Sequence, residues 1–133
     1  MRISITHNGI GYTEATPAEL AARGVPQAII DQALAAVRRE LIKAECSRRI
    51  FAVASAPTQQ NMAAAAAVIA GKAVATRTDQ EKAVLAGLEA ALGWVQAMRG
   101  AVATMAADAA ADFRADAAWP ECPAPVAALA AQF

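Results

Sequence analysis

The chain has 133 residues, and its 12 Lys and Arg balance its 12 Asp and Glu, so the formal net charge is zero with one His neutral. Hydrophobic residues make up 57% and aromatics only 5%, and alanine supplies 40 positions, so much of the apolar content is methyl-sized. One domain with a thin core is expected, and neutrality argues against a nucleic-acid binder or a polybasic membrane-surface protein, both of which need a basic surplus.

Residues 1–15 read as a β-hairpin. Ile3 and Ile5 alternate with Ser4 and Thr6, Ile10 and Tyr12 follow, and Asn8-Gly9 lies between. Asn-Gly suits a two-residue type I′ turn, whose central positions both need positive φ. A lone two-stranded hairpin is marginal in water. This one must lean on a helix or complete another chain's sheet. The same alternation, with no continuous apolar run, is unlike a signal peptide.

Thr16-Pro17-Ala18-Glu19 starts a short helix, with Thr16 as N-cap, Pro17 first and Glu19 closing a capping box. Gly24 ends it. From Pro26 a long helix of about 28 residues, roughly 40 Å, is expected. Its main apolar stripe is Ile30, Leu34, Val37, Leu41 and Ala44, and an adjacent stripe holds Ile42, Cys46, Ile50 and Val53. It should end before Pro57. Thr58 to Ala75 forms the next helical stretch. Ala63 to Ala67 there allow close approach, and Met62–Gly71, the longest apolar run, is too short to span a bilayer.

Thr78 and Glu81 make a second capping box at the head of a helix reaching from about Asp79 to Ala111. Val84, Leu88, Leu92, Val95, Val102 and Met105 form its expected core face, and Gly87, Gly93 and Gly100 point to tight packing. Leu41, Leu88 and Leu92 should then matter most, with Leu92→Ala costing about 2–5 kcal/mol if buried. Residues 119–133, led by Trp119-Pro120 and two further prolines, read as an extended tail, with a last helical turn or two from Val126 to Phe133.

Catalytic and metal constellations are not apparent. His7 precedes a turn and has no evident orienting partner. Cys46 and Cys122 are 76 positions apart and read as reduced thiols in a cytoplasmic chain. Asp108, Asp112 and Asp116 repeat at i, i+4, i+8, but acids near a helix C-terminus oppose its dipole, so a solvated, fraying end is the simpler reading. No cofactor is implied. Residues 38–49 carry five bases against two acids, and residues 79–121 carry seven acids against three bases. Pairing of the two long helices explains this better than nucleic acid.

The run Lys43-Ala44-Glu45-Cys46-Ser47-Arg48-Arg49-Ile50, then Gln60-Asn61-Met62, an alanine-rich stretch, Trp94-Val95-Gln96-Ala97-Met98-Arg99 and Ala118-Trp119-Pro120 resembles small proteins encoded beside the tail-fibre genes of tailed bacteriophages and prophages. The resemblance covers residues 43–120. It implies a non-enzymatic role in tail-fibre or tail-tip assembly, or as a small virion adaptor. The setting would be the host bacterial cytoplasm during assembly, or the tail of the virion. A host-encoded helical interaction module is the alternative. A tail or tail-fibre protein is the expected partner, without membrane insertion, and a homo-oligomer is compatible.

The expected architecture is mostly α: a hairpin docking segment (1–15), an elongated antiparallel bundle of three helical segments (16–118) and a Trp-Pro tail (119–133). The hairpin and the tail look under-satisfied in a monomer. Ile3, Ile5, Ile10, Tyr12, Trp119, Pro120 and Phe133 are therefore the expected partner-binding residues. Trp119 is evenly balanced between an anchor for a partner and a staple onto the body.

Overall fold

The computed structural model describes residues 1–133. The chain is mostly helical, at 68%, with an antiparallel hairpin at its N-terminus. The hairpin comprises β1 (Ile3–His7) and β2 (Ile10–Ala15). Five helices follow: α1 (Pro17–Ala22), α2 (Gln27–Val53), α3 (Ala56–Ala70), α4 (Asp79–Ala107) and α5 (Ala124–Ala130). Short 3-10 turns occupy Val74–Thr76 and Asp116–Ala118.

Local signals place the N-terminal elements. Asn8 and Gly9 have φ of 50° and 75°, as a type I′ turn requires. The register passes from Ile5 opposite Tyr12 to Ile3 opposite Ala15, so β2 carries an extra residue in a bulge. Glu14 sits there at φ 50°, its N–H donating to Ser4 Oγ and its carbonyl accepting from Arg2. Thr16 and Glu19 form the expected reciprocal capping box. α1 closes in a Schellman motif: Gly24 N–H donates to Ala21 O, and Val25 N–H donates to Leu20 O. Val25 and Leu20, which touch in such a motif, are both buried.

The hairpin does not stand alone. Ile3, Tyr12, Leu20, Val25 and Ile30 form one buried cluster, with Leu34 and Val37 half-buried against it. The first half of α2 is thus the platform for the hairpin and α1. The second half turns a different face to α4. Ile42 and Cys46 join Trp94, Met98, Met105, Trp119 and Val126 in a central cluster. The two apolar stripes of α2 therefore serve two neighbours in succession. Leu41 lies on the first stripe one turn beyond Val37, where the hairpin cluster has ended, and is exposed.

α3 begins two residues earlier than expected. Ser55 is its N-cap, accepting from Thr58 N–H, and Pro57 lies inside the first turn, where a missing N–H costs no helical bond. Ala54 alone breaks from α2 in extended conformation. Gln59 Nε2 donates to Ala54 O across the joint. α3 stops at Ala70, short of Ala75, and Arg77 donates to the carbonyls of Ala70 and Lys72. The Thr78–Glu81 capping box opens α4 as expected.

α4 ends at Ala107, four residues early. Asp108 and Asp112 each accept a hydrogen bond from the N–H two residues on, at Ala110 and Arg114, so each makes an Asx turn. The three aspartates therefore share no helix face. The buried stripe of α4 is Val84, Gly87, Trp94, Met98 and Met105. It shares Val84 and Met105 with the expected one but is centred about 60° away, a sixth of a turn, at 100° per residue. Leu92, expected in the core, is 59% exposed, so Leu92→Ala should barely alter stability.

Residues 119–133 are not a free tail. Pro125 occupies the first turn of α5, and Val126 and Leu129 are buried. A third cluster joins Ala54, Met62, Ile69, Val84 and Leu129. Gly87 permits this contact, because a Cβ there would lie 3.1 Å from Leu129 Cδ2. Gly93 and Gly100 face open space instead. Gly93→Ala and Gly100→Ala should each raise stability by about 0.5–1 kcal/mol, the cost of glycine within a helix. Gly87→Val should lower it, by crowding Leu129. Thermal melts of the three variants check this ordering.

Candidate interaction surface

Only 19 of 133 residues are buried, and none of them is polar or charged, so attention falls on the surface. α2 and α4 run antiparallel and form a two-helix layer with two faces. The segment 108–122 covers one of them. Two arginines on α2, Arg38 and Arg49, hold that segment. Arg38 donates to the carbonyls of Asp108 (3.0 Å) and Ala111 (2.7 Å) and lies over the Phe113 ring. Arg49 donates to Asp116 Oδ1 (2.8 Å) and Arg114 O (3.0 Å) and lies over the Trp119 ring. These residues are 11 apart, three helical turns, and so share a face.

The pairing expected between the two long helices is not made: no ion pair joins α2 to α4, and the arginines of α2 reach the segment after α4 instead. Most of the bonds go to loop carbonyls, and Asp116 is the one acid of that segment paired with α2. Of the remaining bases of α2, Lys43 pairs with Glu40 and Arg48 with Glu45, and Arg39 has no partner in the chain. Glu45 also accepts from Arg49 Nε, 2.8 Å away. The Arg48 guanidinium, with Arg49 behind it, holds the Glu45 carboxyl down at about 2, against an ordinary value of 4.5. A depressed carboxyl stabilises the fold above its unfolded pKa and loses that contribution as pH falls through the folded one. Stability should thus decline between about pH 4.5 and pH 2, and Glu45→Gln should flatten that part of the profile. Urea midpoints measured across this range test it.

Both tryptophans join the segment to the body. Trp94 Nε1 donates to Pro120 O (3.1 Å) and Trp119 Nε1 donates to Phe113 O (2.7 Å). Trp119 is 7% exposed and Pro120 half-buried. Trp119 is thus a staple, and its ring is not presented to a partner. The hairpin residues divide similarly. Ile3 and Tyr12 are buried against α1 and α2, Ile5 is half-buried, and only Ile10 projects from the turn. Phe133 is exposed at the far end of the molecule. The seven expected residues do not form one surface.

On the opposite face of the α2–α4 layer, α3 covers the first turns of α4, packing Met62 and Ile69 against Val84 and Leu88, and the remainder is open. A groove of about 440 Å³ runs along it. Cys46, Ile50 and Phe51 of α2 and Val95 and Val102 of α4 form its apolar wall, with Lys43, Ser47, Gln59 and Arg99 at its edges. A narrower slot of about 230 Å³ continues from it at the α2–α3 joint. Ile50, Gln59 and Val95 line both, and Met62, Leu88 and Leu92 extend the apolar wall. Phe51 and Leu92 are 51% and 59% exposed. This apolar strip is the candidate interaction surface of the chain.

The signal for this site was present in the sequence. Leu88, Leu92, Val95 and Val102 repeat at helical spacing; Leu88, Val95 and Val102 are half-buried at the edge of the core clusters, and Leu92 stands exposed on the wall. Chemistry at the groove is limited. Burial pushes both the Cys46 and Cys122 thiols up, away from the reactive thiolate. No three His, Cys, Asp or Glu side chains lie close enough together to hold a metal ion. No helix is long and apolar enough to cross a membrane. No family model matches the chain, and no curated protein matches it either.

Proposed function

We propose that the chain is a non-enzymatic interaction protein that assists phage tail-fibre or tail-tip assembly, or stays in the virion as a small adaptor. The observation that carries the interaction role is the uncovered apolar groove between α2 and α4, with half-exposed Phe51 and Leu92 on its wall. The phage context rests on the resemblance of residues 43–120. The structure supports the reading through the role of the quoted residues. Arg49, Trp94, Met98, Trp119 and Pro120 all belong to the device that fastens the 108–122 segment over one face of the helices. Their recurrence would keep that architecture, and leave the groove on the other face free for binding.

The test is co-purification from cells producing the phage particle. A tagged copy should bring down a tail-fibre or tail-tip protein, and deletion of the gene should lower the yield of fibre-bearing particles. Absence of any tail protein from the capture, with particle yield unchanged, overturns the reading.

A further inference from the structure

The groove also specifies what it takes. We propose that it receives a single amphipathic helix of about three turns, supplied by the partner, whose apolar edge lies along the α2–α4 seam and whose carboxylates meet Lys43 and Arg99. The inference deepens the proposed interaction role and rests on it.

Shape argues for a helix. α2 and α4 run antiparallel, and beyond α3 their seam is open, the place a further helix fills in a bundle. Beyond α3 the wall runs on α4 from Leu92 to Val102, about 15 Å at 1.5 Å per residue, which matches about three turns of partner helix. Its apolar lining suits anchors at i, i+3, i+4 and i+7.

Charge argues for the sign of the partner. Lys43 and Arg99 are the charged residues on the groove, and no carboxylate lines either it or the adjoining slot. Arg99 makes no ion pair or hydrogen bond within the chain, and Lys43 is held only by Glu40, on the exposed flank of α2. Elsewhere on α2, Arg38 and Arg49 bind the 108–116 loop and Arg48 binds Glu45, and Arg39, which is unpaired, does not line the groove. Arg99 is thus a free cation beside an apolar wall. A second copy fits badly, because a two-fold face-to-face pairing is self-complementary and would bring two Lys43–Arg99 sets together without a counter-charge. Burying unpaired charges is unfavourable, and like-charge juxtaposition selects against a partner.

The probe is an acetylated peptide of about 14 residues built from Glu, Ala and Leu, with leucines at i, i+3, i+4 and i+7, and a twin with Lys in place of every Glu. Trp94 lines the slot and reports occupancy by fluorescence. The acidic peptide should bind saturably at micromolar concentration, and the basic twin should not. Arg99→Glu should weaken the acidic peptide at least about tenfold and admit the basic one. Phe51→Glu should abolish both. Arg99 and Phe51 are exposed, so circular dichroism should show both variants folded. No saturation by the acidic peptide overturns the proposal. Equal affinity for both peptides overturns it too, and so does a wild-type dimer that Phe51→Glu dissociates. The tail experiment fails separately. If Phe51→Glu still co-purifies with a tail protein, the groove assignment falls and the tail role stands. If wild type captures no tail protein yet binds the acidic peptide, the tail role falls and the groove stands.

Discussion

Trp119→Ala should destabilise the protein by about 3–5 kcal/mol, the range for a large aromatic removed from a core. Trp119 occupies the central cluster beside Ile42, Cys46, Trp94 and Met98. Its indole N–H donates to Phe113 O, and its face receives the Arg49 guanidinium at 5.5 Å. Truncation opens a cavity and releases the 108–122 segment that covers one side of the α2–α4 layer. A domain typically has only about 5–15 kcal/mol in total, so the melting midpoint should fall by many degrees. Leu92→Ala is the matched comparison: it removes a larger aliphatic group than most, yet from an exposed site. Thermal melts of the two variants side by side decide the matter. A Trp119→Ala protein that melts like wild type would return the 119–125 segment to the role of a free docking tail.

Leu20→Ala should produce the second large effect, about 2–5 kcal/mol, and a local one. Leu20 is 0% exposed and closes the cluster formed with Ile3, Tyr12, Val25 and Ile30. That cluster is separate from the central one. Both tryptophans lie in the central cluster, whereas the single tyrosine, Tyr12, lies in the hairpin cluster. Loss of Leu20 should therefore free the hairpin and α1, and fray α2 back toward Val37, while the tryptophan environment persists. Amide exchange should rise across residues 1–30 with little change in α4. Simultaneous loss of protection in α4 and of native tryptophan fluorescence would show that the two clusters unfold as one.

Much of the chain was legible because its signals are local. The Asn8-Gly9 turn, the Thr16–Glu19 and Thr78–Glu81 capping boxes and the Gly24 cap each need only a few neighbouring residues to act. They placed the hairpin and the starts of α1 and α4 without reference to anything distant. Where a signal was ambiguous locally, the boundary moved. Pro57 reads as a helix breaker, yet Ser55 caps the chain two residues before it, and a proline in a first turn loses no hydrogen bond. Asp108 and Asp112 read as helical repeats, yet each side chain captures its own backbone and ends the helix.

The sequence by itself determined that this is a mostly helical chain with an N-terminal hairpin, since capping, turn chemistry and 3.6-residue periodicity act over a few positions. It also determined which residues are available to form apolar faces. Only the tertiary structure decided which face is core. On an alanine-rich helix the apolar arc is broad, and periodicity does not say which edge meets a neighbour. On α4 the large side chains Trp94, Met98 and Met105 are buried against α2 and the returning segment, and Leu88, Leu92 and Val95 are left on the groove. Only the tertiary structure, too, showed where Arg38 and Arg49 reach. Their partners lie some 65 to 73 positions away, and are mostly backbone carbonyls that carry no sequence signature. Those bonds fold the Trp119 segment onto the body. Together with the hairpin cluster they satisfy the ends of the chain, where an isolated hairpin and a proline-rich tail looked unsatisfied, and leave as the candidate surface the groove on the part of the helices that α3 does not reach.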